Sequence, residues 1–304
     1  MYSLQTLSRK VKAKLLRLAY DEQWVIGARP RCDSRLPTDV SGCILLEPPE
    51  GVHYADPFVI QRNSKTCIFF ESWSEGETKG RIQVVTLDSF GRWSPPEPAL
   101  ERPYHLSYPQ VFSWRGDVYM LPETRHNCTI ELYRATNFPY AWERIAVLME
   151  NVDAVDATLF EQRGQWWMFT AGLGDAADRS RRLSIFHASS PLGPWRSHSA
   201  NPVINNLRTA RPAGNLFVLG EQLIRPAQDC RSRYGYAISW NRVDLLTEDA
   251  YHETLIASLN PSSTKDWTAT HTFNQGGNWQ VFDGKRLAHR LHSNSLPSVP
   301  HQSL

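Results

Sequence analysis

The sequence predicts an all-β fold, a single five-bladed β-propeller that follows a short N-terminal amphipathic helix. A strand–turn–strand pattern recurs five times, and its copies begin 48 to 60 residues apart. The strands are short and rich in aromatic residues, which is typical of blades repeated around a central channel. The 304 residues, 41% of them hydrophobic, are enough to form one large domain with its own core.

Residues 1–21 have the pattern of an amphipathic helix, with apolar residues at helical spacing and basic residues on the other faces. The apolar positions are Leu4, Leu7, Val11, Leu15 and Leu18, and the basic ones are Lys10, Lys12, Lys14 and Arg17. We expect this helix to dock on the domain or on a neighbouring protein. Contact with an anionic membrane is the alternative, because a basic amphipathic helix also suits a lipid surface.

Residues 22–288 are expected to hold the blades. Each copy begins with a polar or special residue, continues as an apolar strand, turns, and returns as a second strand. The copies begin at Ala55-Asp56-Pro57, Ser107-Tyr108-Pro109, Val155-Asp156-Ala157, Arg211-Pro212-Ala213 and His271-Thr272-Phe273. The early strand 22–28 should complete the last blade, which closes the ring and removes its exposed edges. Residues 289–304 are polar and are expected to form a disordered tail.

The geometry of a propeller predicts where the polar residues of these copies meet. The inner strand of each blade starts at one face, and the second strand returns to that face. Five equivalent positions should therefore surround one end of the channel, namely Asp56, Tyr108, Asp156, Arg211 and His271. The returning strands should bring Glu71 and Glu123 to the same rim, and the fourth copy should add Arg225, Gln228 and Asp229.

Carboxylates that face each other across a channel mouth can act as a general acid and a general base, because burial and mutual repulsion separate their pKa values. Cleavage of a glycosidic bond needs such a pair. The catalytic candidates are Asp56, Glu71, Glu123 and Asp156. The candidates for substrate binding are His105, Tyr108, Arg211, Arg225, Gln228, Asp229, His271 and Trp73. Purely structural turns and ion pairs remain the alternative for the charged members.

Composition excludes other classes of function. Lys and Arg number 33 against 31 Asp and Glu, so no global field attracts nucleic acid. The five cysteines are scattered and lack metal-site spacing, which predicts free thiols in a reducing compartment. The N-terminus lacks the continuous apolar run of a secretory signal. Both observations favour a cytoplasmic protein.

Several short motifs resemble those of a known family. They are Ala55-Asp-Pro-Phe58, His105-Leu-Ser-Tyr-Pro109, Leu121-Pro-Glu123, Ile130-Glu-Leu-Tyr133, Val155-Asp156, Ala210-Arg-Pro-Ala-Gly214, Arg225-Pro-Ala-Gln-Asp229, Tyr234-Gly235 and His271-Thr272. On these motifs, the chain from Trp24 to about Arg286 resembles the propeller domain at the N-terminus of plant glucosamine inositolphosphorylceramide transferases and of similar bacterial proteins. That domain in turn is similar to the five-bladed propellers of glycoside hydrolase families 43, 32, 68 and 130.

The resemblance implies roles for particular residues. In family 43 an Asp that opens the first blade is the base, and Asp56 matches it. A second Asp tunes the pKa of the acid, and Asp156 would correspond to it, although it opens the third copy rather than the second. The acidic Glu has no counterpart because the fourth copy opens with Arg211, so Glu71 or Glu123 would have to supply the proton. No cofactor is expected, apart from a structural Ca²⁺ in the channel near His271, where family 43 propellers often hold a cation.

These expectations lead to two functional hypotheses. The first is a carbohydrate-active protein with glycosidase- or glycosyltransferase-type chemistry at the channel mouth, acting on a carbohydrate, a sugar nucleotide or a glycolipid in surface-glycan or glycolipid metabolism. The second is a non-catalytic glycan-binding propeller that assists a partner transferase. The missing blade-opening Glu and the N-terminal helix both suit the second hypothesis. The sugar-transfer domain of the plant enzymes is a separate segment, and nothing in this chain resembles it.

Overall fold

A computed structural model describes residues 20–174, 176–261 and 267–289 and confirms the all-β, five-bladed propeller. Residues 1–19, where the helix is expected, and residues 290–304, most of the expected tail, lie outside the described residues. The first described strand begins at Tyr20, and the last one ends at His289. Within the described ranges, no helix has the length and apolar character needed to cross a membrane.

The strands follow the chain in blade order, each blade being an antiparallel sheet. The N-terminal strands are β1 (Tyr20–Pro30) and β2 (Ile44–Leu46). Blade 1 contains β3 (Val52–Arg62), β4 (Lys65–Ser74), β5 (Arg81–Leu87) and β6 (Glu97–Leu100). Blade 2 contains β7 (Ser107–Trp114), β8 (Asp117–Thr124), β9 (Thr129–Asn137) and β10 (Ala141–Glu150).

The remaining three blades are less regular. Blade 3 contains β11 (Ala154–Gln162), β12 (Gln165–Gly172), β13 (Arg182–Ala188), β14 (Arg196–Ser197) and β15 (Ile204–Asn205). Blade 4 contains β16 (Phe217–Leu219), β17 (Gln222–Asp229), β18 (Ala237–Leu246) and β19 (Tyr251–Leu259). Blade 5 contains β20 (Trp267–Ala269), β21 (Phe273–Gly276) and β22 (Trp279–His289) together with β1 and β2. Two 3-10 turns, Arg125–Asn127 and Ala176–Ser180, lie in the loops before β9 and β13.

The N-terminal strand closes the ring. β1 pairs with β22 along its whole length, from Tyr20 opposite His289 to Pro30 opposite Trp279, and β2 adds the outer edge of the same blade. The prediction that the early strand completes the last blade is therefore confirmed. Because residues from both ends of the propeller share one sheet, the ring leaves no unpaired strand edge at its junction.

The inner strands of blades 1 to 3 share one backbone irregularity. Asp56, Tyr108 and Asp156 have φ angles of 52°, 45° and 52°, and strand pairing is interrupted at these residues in each blade. A bulge re-aims the strand, and a left-handed conformation costs free energy in residues other than Gly or Asn. The equivalence predicted from the repeat is thus confirmed for these three copies. Blade 4 differs, because Arg211 precedes a short inner strand that begins only at Phe217.

Side chains from blade 2 reach blades 3 and 4 across the channel. The Tyr108 hydroxyl lies 2.9 Å from Thr158 Oγ1 in blade 3 and accepts a hydrogen bond from the Gly214 amide before blade 4 at 2.6 Å. Gln110 Nε2 donates to the Leu159 carbonyl and to Asn215 Oδ1. These side chains connect blades 2, 3 and 4 across the channel, and we call them the plug. The predicted site is the cavity at the channel mouth.

Candidate active site at the channel mouth

A cavity of about 500 Å³ opens at the channel mouth. Eight predicted site residues line it, namely Asp56, Glu71, Trp73, His105, Glu123, Asp156, Arg211 and His271. The blade register predicts this position for six of them, all except Trp73 and His105. The structure brings all four candidate carboxylates into one cavity, as an acid and base pair requires.

Asp56 belongs to a buried network between blades 1 and 5. Thr272 Oγ1 donates to Asp56 Oδ1 at 2.6 Å, and His271 Nδ1 lies 3.7 Å from the same oxygen. Burial raises the pKa of Asp56 to about 6, although the charge of His271 lowers it. Burial lowers the pKa of His271, but the charges of Asp283 and Asp56 outweigh this effect and raise it to about 9. The network therefore holds an ionised carboxylate beside an imidazolium at neutral pH.

Asp283 organises this network and was missed in the sequence. Its Oδ1 accepts the amides of His271 and Thr272, both at 2.9 Å, and its Oδ2 accepts the Asp56 amide at 3.0 Å and lies 2.5 Å from His271 Nδ1. The signal was present in the sequence, because Asp283 directly follows the apolar residues Val281 and Phe282 as Glu71 directly follows Phe69 and Phe70.

Two aromatic residues and a glycine fix the His271 ring. Trp24 stacks on it at 4.2 Å between ring centroids, and Tyr234 meets it edge-on at 5.5 Å. Gly235 has a φ of 61°, and a Cβ there would lie 2.7 Å from the ring, so this position requires glycine. No described residue forms a hydrogen bond with His271 Nε2. Since His271 lines the cavity, this nitrogen is available to a ligand.

Glu71 and His105 form the second element of the site. Gly80 N–H donates to His105 Nδ1 at 2.8 Å, which requires a lone pair on that nitrogen and places the ring proton on Nε2. His105 Nε2 lies 3.1 Å from Glu71 Oε1. Burial raises the pKa of Glu71 to about 7, although the hydrogen bond from His105 lowers it. Glu71 is therefore partly protonated at neutral pH.

Asp156 is held in place by blade 4. Arg211 Nε donates to its Oδ2 at 2.6 Å, and Gln228 Nε2 donates to the same oxygen at 2.9 Å. Glu123 Oε2 accepts the Asp156 amide at 3.2 Å. Burial raises the pKa of Asp156 to about 6, although Arg211 lowers it. Protein donors occupy most of the lone pairs of its carboxylate. Asp156 is therefore better suited to holding its neighbours in place than to exchanging protons.

Four residues predicted to bind substrate do not line the cavity. Tyr108 lies deeper and forms part of the plug. Gln228 reaches the site only through Asp156 and Pro212. Arg225 is 1% exposed and donates to Glu253 at 2.7 Å, on the outer strand of its own blade. Asp229 is buried and accepts hydrogen bonds from Arg231. For Arg225 and Asp229 the reason is strand alternation, because both point to the face of β17 opposite Gln228.

The cavity wall combines aromatic faces with basic groups. Trp24 and Trp73 line one side, and Trp73 stacks on His53 at 4.7 Å. Arg125 and Arg179, each from a 3-10 turn, lie on another side with Lys79. Arg125 lies 3.6 Å from Glu123 and makes no hydrogen bond with its side chain to any described residue. Sequence reasoning missed Arg125 and Arg179, because both lie in loops outside the repeat.

Asp56, His271 and Asp283 could offer ligand atoms to a metal, because one atom of each lies within 4.8 Å of the others. Their hydrogen bonds do not favour Ca²⁺, which takes 6–8 oxygen ligands. Both Asp283 oxygens already receive two donors each, which uses the lone pairs of a carboxylate. The Ca²⁺ expected near His271 therefore stays a prediction that this donor set does not support.

Comparison with known proteins identifies a family whose model and members match this chain. The family model described as glucosamine inositolphosphorylceramide transferase 1, N-terminal, matches residues 48–291. The chain is 34% identical over 238 residues to glucosamine inositolphosphorylceramide transferase 1 of Arabidopsis thaliana, covering 77% of this chain and 30% of that protein. It is also 34% identical over 203 residues to the protein of the same name from Oryza sativa subsp. japonica, covering 66% of this chain and 27% of that protein. The chain thus spans less than a third of these relatives.

Solved structures with low sequence identity share the fold. The family 117 glycoside hydrolase Zg3597 of Zobellia galactanivorans has a TM-score of 0.55 and 13% identity, with 88% of this chain and 91% of that chain covered. The α-L-arabinofuranosidase PaAbf62A of Podospora anserina has a TM-score of 0.58 and 12% identity, with 78% and 92% covered. At this identity the likeness establishes the propeller fold alone.

Proposed function

Because the chain belongs to the family of the glucosamine inositolphosphorylceramide transferase 1 N-terminal domain, we propose that it is a carbohydrate-active protein that cleaves or transfers a glycosidic bond at its channel mouth. One observation carries the proposal. Asp56 and Glu71 lie on neighbouring strands of blade 1, line the same cavity and are both buried. Within the described ranges, neither of them forms an ion pair with Lys or Arg.

The two carboxyl groups differ in the way that acid–base catalysis requires. Glu71, with a pKa raised to about 7 by burial, keeps a proton on part of the molecules at neutral pH and acts as the general acid on the leaving oxygen. Asp56, with a pKa raised to about 6 by burial, is mostly ionised there and acts as the general base on water or on an acceptor hydroxyl. His271 stabilises the ionised base. General acid–base groups matched to the working pH contribute about 10²–10⁴ in rate.

The cavity wall supports a sugar that carries an anionic group. Trp24 and Trp73 provide faces on which a sugar ring can stack. Arg125, Arg179 and Lys79 provide hydrogen-bond donors for a phosphate. We therefore propose a sugar nucleotide or a glycolipid headgroup as the substrate class. This agrees with the name of the curated relatives, which contains a phosphorylated lipid.

The alternative is a non-catalytic propeller that binds a glycan and presents it to a partner transferase. One observation favours it. Arg211 precedes the inner strand of blade 4, where the resemblance to glycoside hydrolase family 43 implies an acidic Glu. Its guanidinium donates two hydrogen bonds to the Asp156 carboxylate. In this case the carboxylates would recognise sugar hydroxyls without exchanging protons.

We retain cytoplasmic residence as part of the proposal. All five cysteines are free thiols, of which Cys67 and Cys230 are buried and Cys128 is exposed. Free thiols are stable in a reducing compartment. A thiol count of the purified protein, with and without reductant, would test whether they remain free.

The testing experiment is a screen by mass spectrometry with soluble oligosaccharides, sugar nucleotides and glycolipids as probes. We expect the native protein to turn over one probe class and the Glu71→Gln variant to be slower by about 10²–10⁴. The variant should fold, because an amide oxygen can still accept from His105. Glu221→Gln, at an exposed turn on the opposite face, is the matched control. Binding without turnover in all three proteins would select the glycan-binding alternative.

A further inference from the structure

His105 contacts the proposed acid from the cavity wall. Its Nε2 lies 3.1 Å from Glu71 Oε1, and its Nδ1 accepts a hydrogen bond from the Gly80 amide at 2.8 Å. Because both ring nitrogens have protein partners, neither is left to form a hydrogen bond with a substrate. The sequence predicts His105 among the substrate-binding residues, whereas these contacts favour a role that acts through Glu71.

The backbone of Gly80 fixes the orientation of the His105 ring. Its amide donates to His105 Nδ1, and its carbonyl accepts the Leu106 amide at 3.1 Å. These two hydrogen bonds join the segment before β5 to the segment before β7. A Cβ at position 80 would lie 2.7 Å from Glu71 Oε1 and 2.8 Å from the Leu106 carbonyl oxygen. Glycine is therefore required for the backbone to approach the acid this closely.

The charged groups around His105 favour a second proton on its ring. Burial lowers the pKa of His105, but the hydrogen bond and the charge of Glu71 outweigh burial and raise it, with a further contribution from Glu123. The charge of Arg125 opposes the second proton. His126, whose ring centroid lies 5.0 Å away, has its own pKa lowered by burial and is neutral at neutral pH. Charge alone therefore makes protonation of His105 easier than it is in water.

The Gly80 amide opposes this second proton by its position. The proton would sit on Nδ1 and point at the Gly80 amide proton, with the two nitrogens 2.8 Å apart. The amide is not free to turn away, because the carbonyl of the same residue holds the Leu106 amide. We therefore expect His105 to stay a neutral donor with its proton on Nε2.

The hydrogen bond from His105 leaves the acid proton of Glu71 on one particular oxygen. Oε1 accepts the Nε2 proton, and within the described residues no group forms a hydrogen bond with Oε2. When Glu71 is neutral, Oε1 is thus the accepting carbonyl oxygen and Oε2 carries the proton. Because Glu71 lines the cavity, Oε2 is the oxygen from which a substrate can take this proton.

We propose that His105 is a positioning residue for the general acid: as a neutral donor it holds Glu71 Oε1, so that the acid proton stays on Oε2 and passes to the leaving oxygen. In this step the Oε2–H bond breaks, and the glycosidic oxygen takes the proton and the electron pair of the cleaved C–O bond. The carbon forms a new bond to the oxygen that Asp56 deprotonates. The inference deepens the proposed function and rests on it for the role of Glu71 as the acid.

The hydrogen bond from His105 also assists the step as charge develops. Glu71 becomes a carboxylate when it gives up its proton, and a hydrogen bond to an ionised acceptor is about twice as strong as one between neutral groups. His105 therefore stabilises the product of the proton transfer more than its reactant, which favours catalysis without a contact to the substrate.

The first measurement is NMR and needs no substrate. In native protein with isotope-labelled histidine, the His105 signals, assigned with the His105→Gln variant, should report a neutral ring with its proton on Nε2 on both sides of neutral pH. The Glu71 carboxyl group should titrate at higher pH in His105→Ala than in the native protein, because the hydrogen bond from His105 lowers the pKa of Glu71. An imidazolium at neutral pH, a neutral ring with its proton on Nδ1, or an unchanged Glu71 titration would overturn the inference.

The second measurement uses the probe found in the screen. His105→Ala should lower kcat about 10- to 100-fold with a nearly native KM, because it loses a hydrogen bond to the acid and no contact with the substrate. The alkaline limb of its pH profile should move to higher pH. His105→Gln, whose side-chain amide can still donate to Glu71, should recover part of the rate. His252→Ala, at a histidine with a 68% exposed side chain on the outer strand of blade 4, is the matched control and should have native kinetics.

The outcomes separate this inference from the proposed function. If the native protein turns over no probe, the proposed function fails, whereas the NMR titrations still decide whether His105 holds Glu71 as described. If Glu71→Gln is inactive while His105→Ala keeps the native kcat and alkaline limb, the proposed function stands and the inference is overturned. A raised KM with a native kcat would also overturn it, because His105 would then bind substrate. Thermal melting checks the fold of each variant, and the tautomer is read in the native protein itself.

Discussion

Asp56 and Asp156 open blades 1 and 3 with the same backbone geometry but with different neighbours. Both have a φ of 52° and both are buried. Each donates its amide to a carboxylate on the second strand of the preceding blade, Asp283 in one case and Glu123 in the other. The repeat therefore places the two carboxyl groups equivalently around the channel mouth.

Their side chains differ in the groups that the adjacent blades provide, which come from the following blade 4 for Asp156 and from the preceding blade 5 for Asp56. Asp156 faces a guanidinium and an amide, from Arg211 and Gln228, which occupy it with direct hydrogen bonds. Asp56 receives one hydroxyl, from Thr272, and has a histidine at 3.7 Å. The repeat decides where a carboxylate points, whereas its neighbours decide whether it can exchange a proton. In the proposed function, Asp56 is therefore the general base, whereas Asp156 has a structural role.

The largest effect on stability is expected for Arg211→Gln. Removing the guanidinium leaves the buried Asp156 without its ion-pair partner, which costs about 3–5 kcal/mol of the free energy of unfolding. Urea denaturation measures the change. Arg134→Gln is the control, because that arginine and its partner Glu143 are 45% and 46% exposed and their ion pair should contribute less than about 1 kcal/mol. Equal, small losses in the two variants would show that Asp156 does not depend on Arg211.

The charged His271 beside Asp56 predicts that the protein loses stability at alkaline pH. The pKa of His271 is raised to about 9, so its stabilising charge is fully present below the unfolded pKa of about 6.5 and is lost as pH rises through 9. We expect the free energy of unfolding to fall by about 3 kcal/mol over this interval. The His271→Gln variant should lack the decrease. A native protein whose stability is flat over this interval would contradict the charged assignment.

The smallest effect expected is a narrow pH window for turnover. The base must be ionised, which requires a pH above about 6, and the acid must be protonated, which requires a pH below about 7. The rate should therefore be highest between these values and fall about tenfold per pH unit on either side. Glu71→Gln should remove the alkaline limb from whatever activity remains. An alkaline limb that survives in this variant would assign the acid to another group.

The regular part of the fold could be predicted from the sequence. The repeat gave the blade number, the closure by β1 and the shared position of Asp56, Tyr108 and Asp156, because hydrophobic period and turn residues are local properties. It did not predict the irregular start of blade 4. There the strand begins at Phe217, and the segment after Arg211 is held by contacts with other blades, such as Tyr108 to Gly214.

The position of the candidate site could be predicted from the sequence. The contacts that its side chains make with one another could not. Six of its residues follow from the blade register, namely Asp56, Glu71, Glu123, Asp156, Arg211 and His271. The predicted place of Tyr108 was wrong because its long side chain crosses the channel, and that of Arg225 was wrong because it lies on the face of β17 that meets Glu253. Trp24 was missed as a cavity residue, because it comes from the strand that closes the ring. Contacts between distant segments decide which side chains meet, and no local pattern encodes them.

The most direct test of the account compares Asp56→Asn with Asp156→Asn. For each variant, turnover of the probe found in the screen and the free energy of unfolding are measured side by side. We predict that Asp56→Asn loses turnover by about 10²–10⁴ with a nearly native stability, whereas Asp156→Asn loses chiefly stability because Arg211 is left without its counter-charge. Native turnover in Asp56→Asn, or the reverse pattern in the two variants, would contradict the assignment of Asp56 as the base.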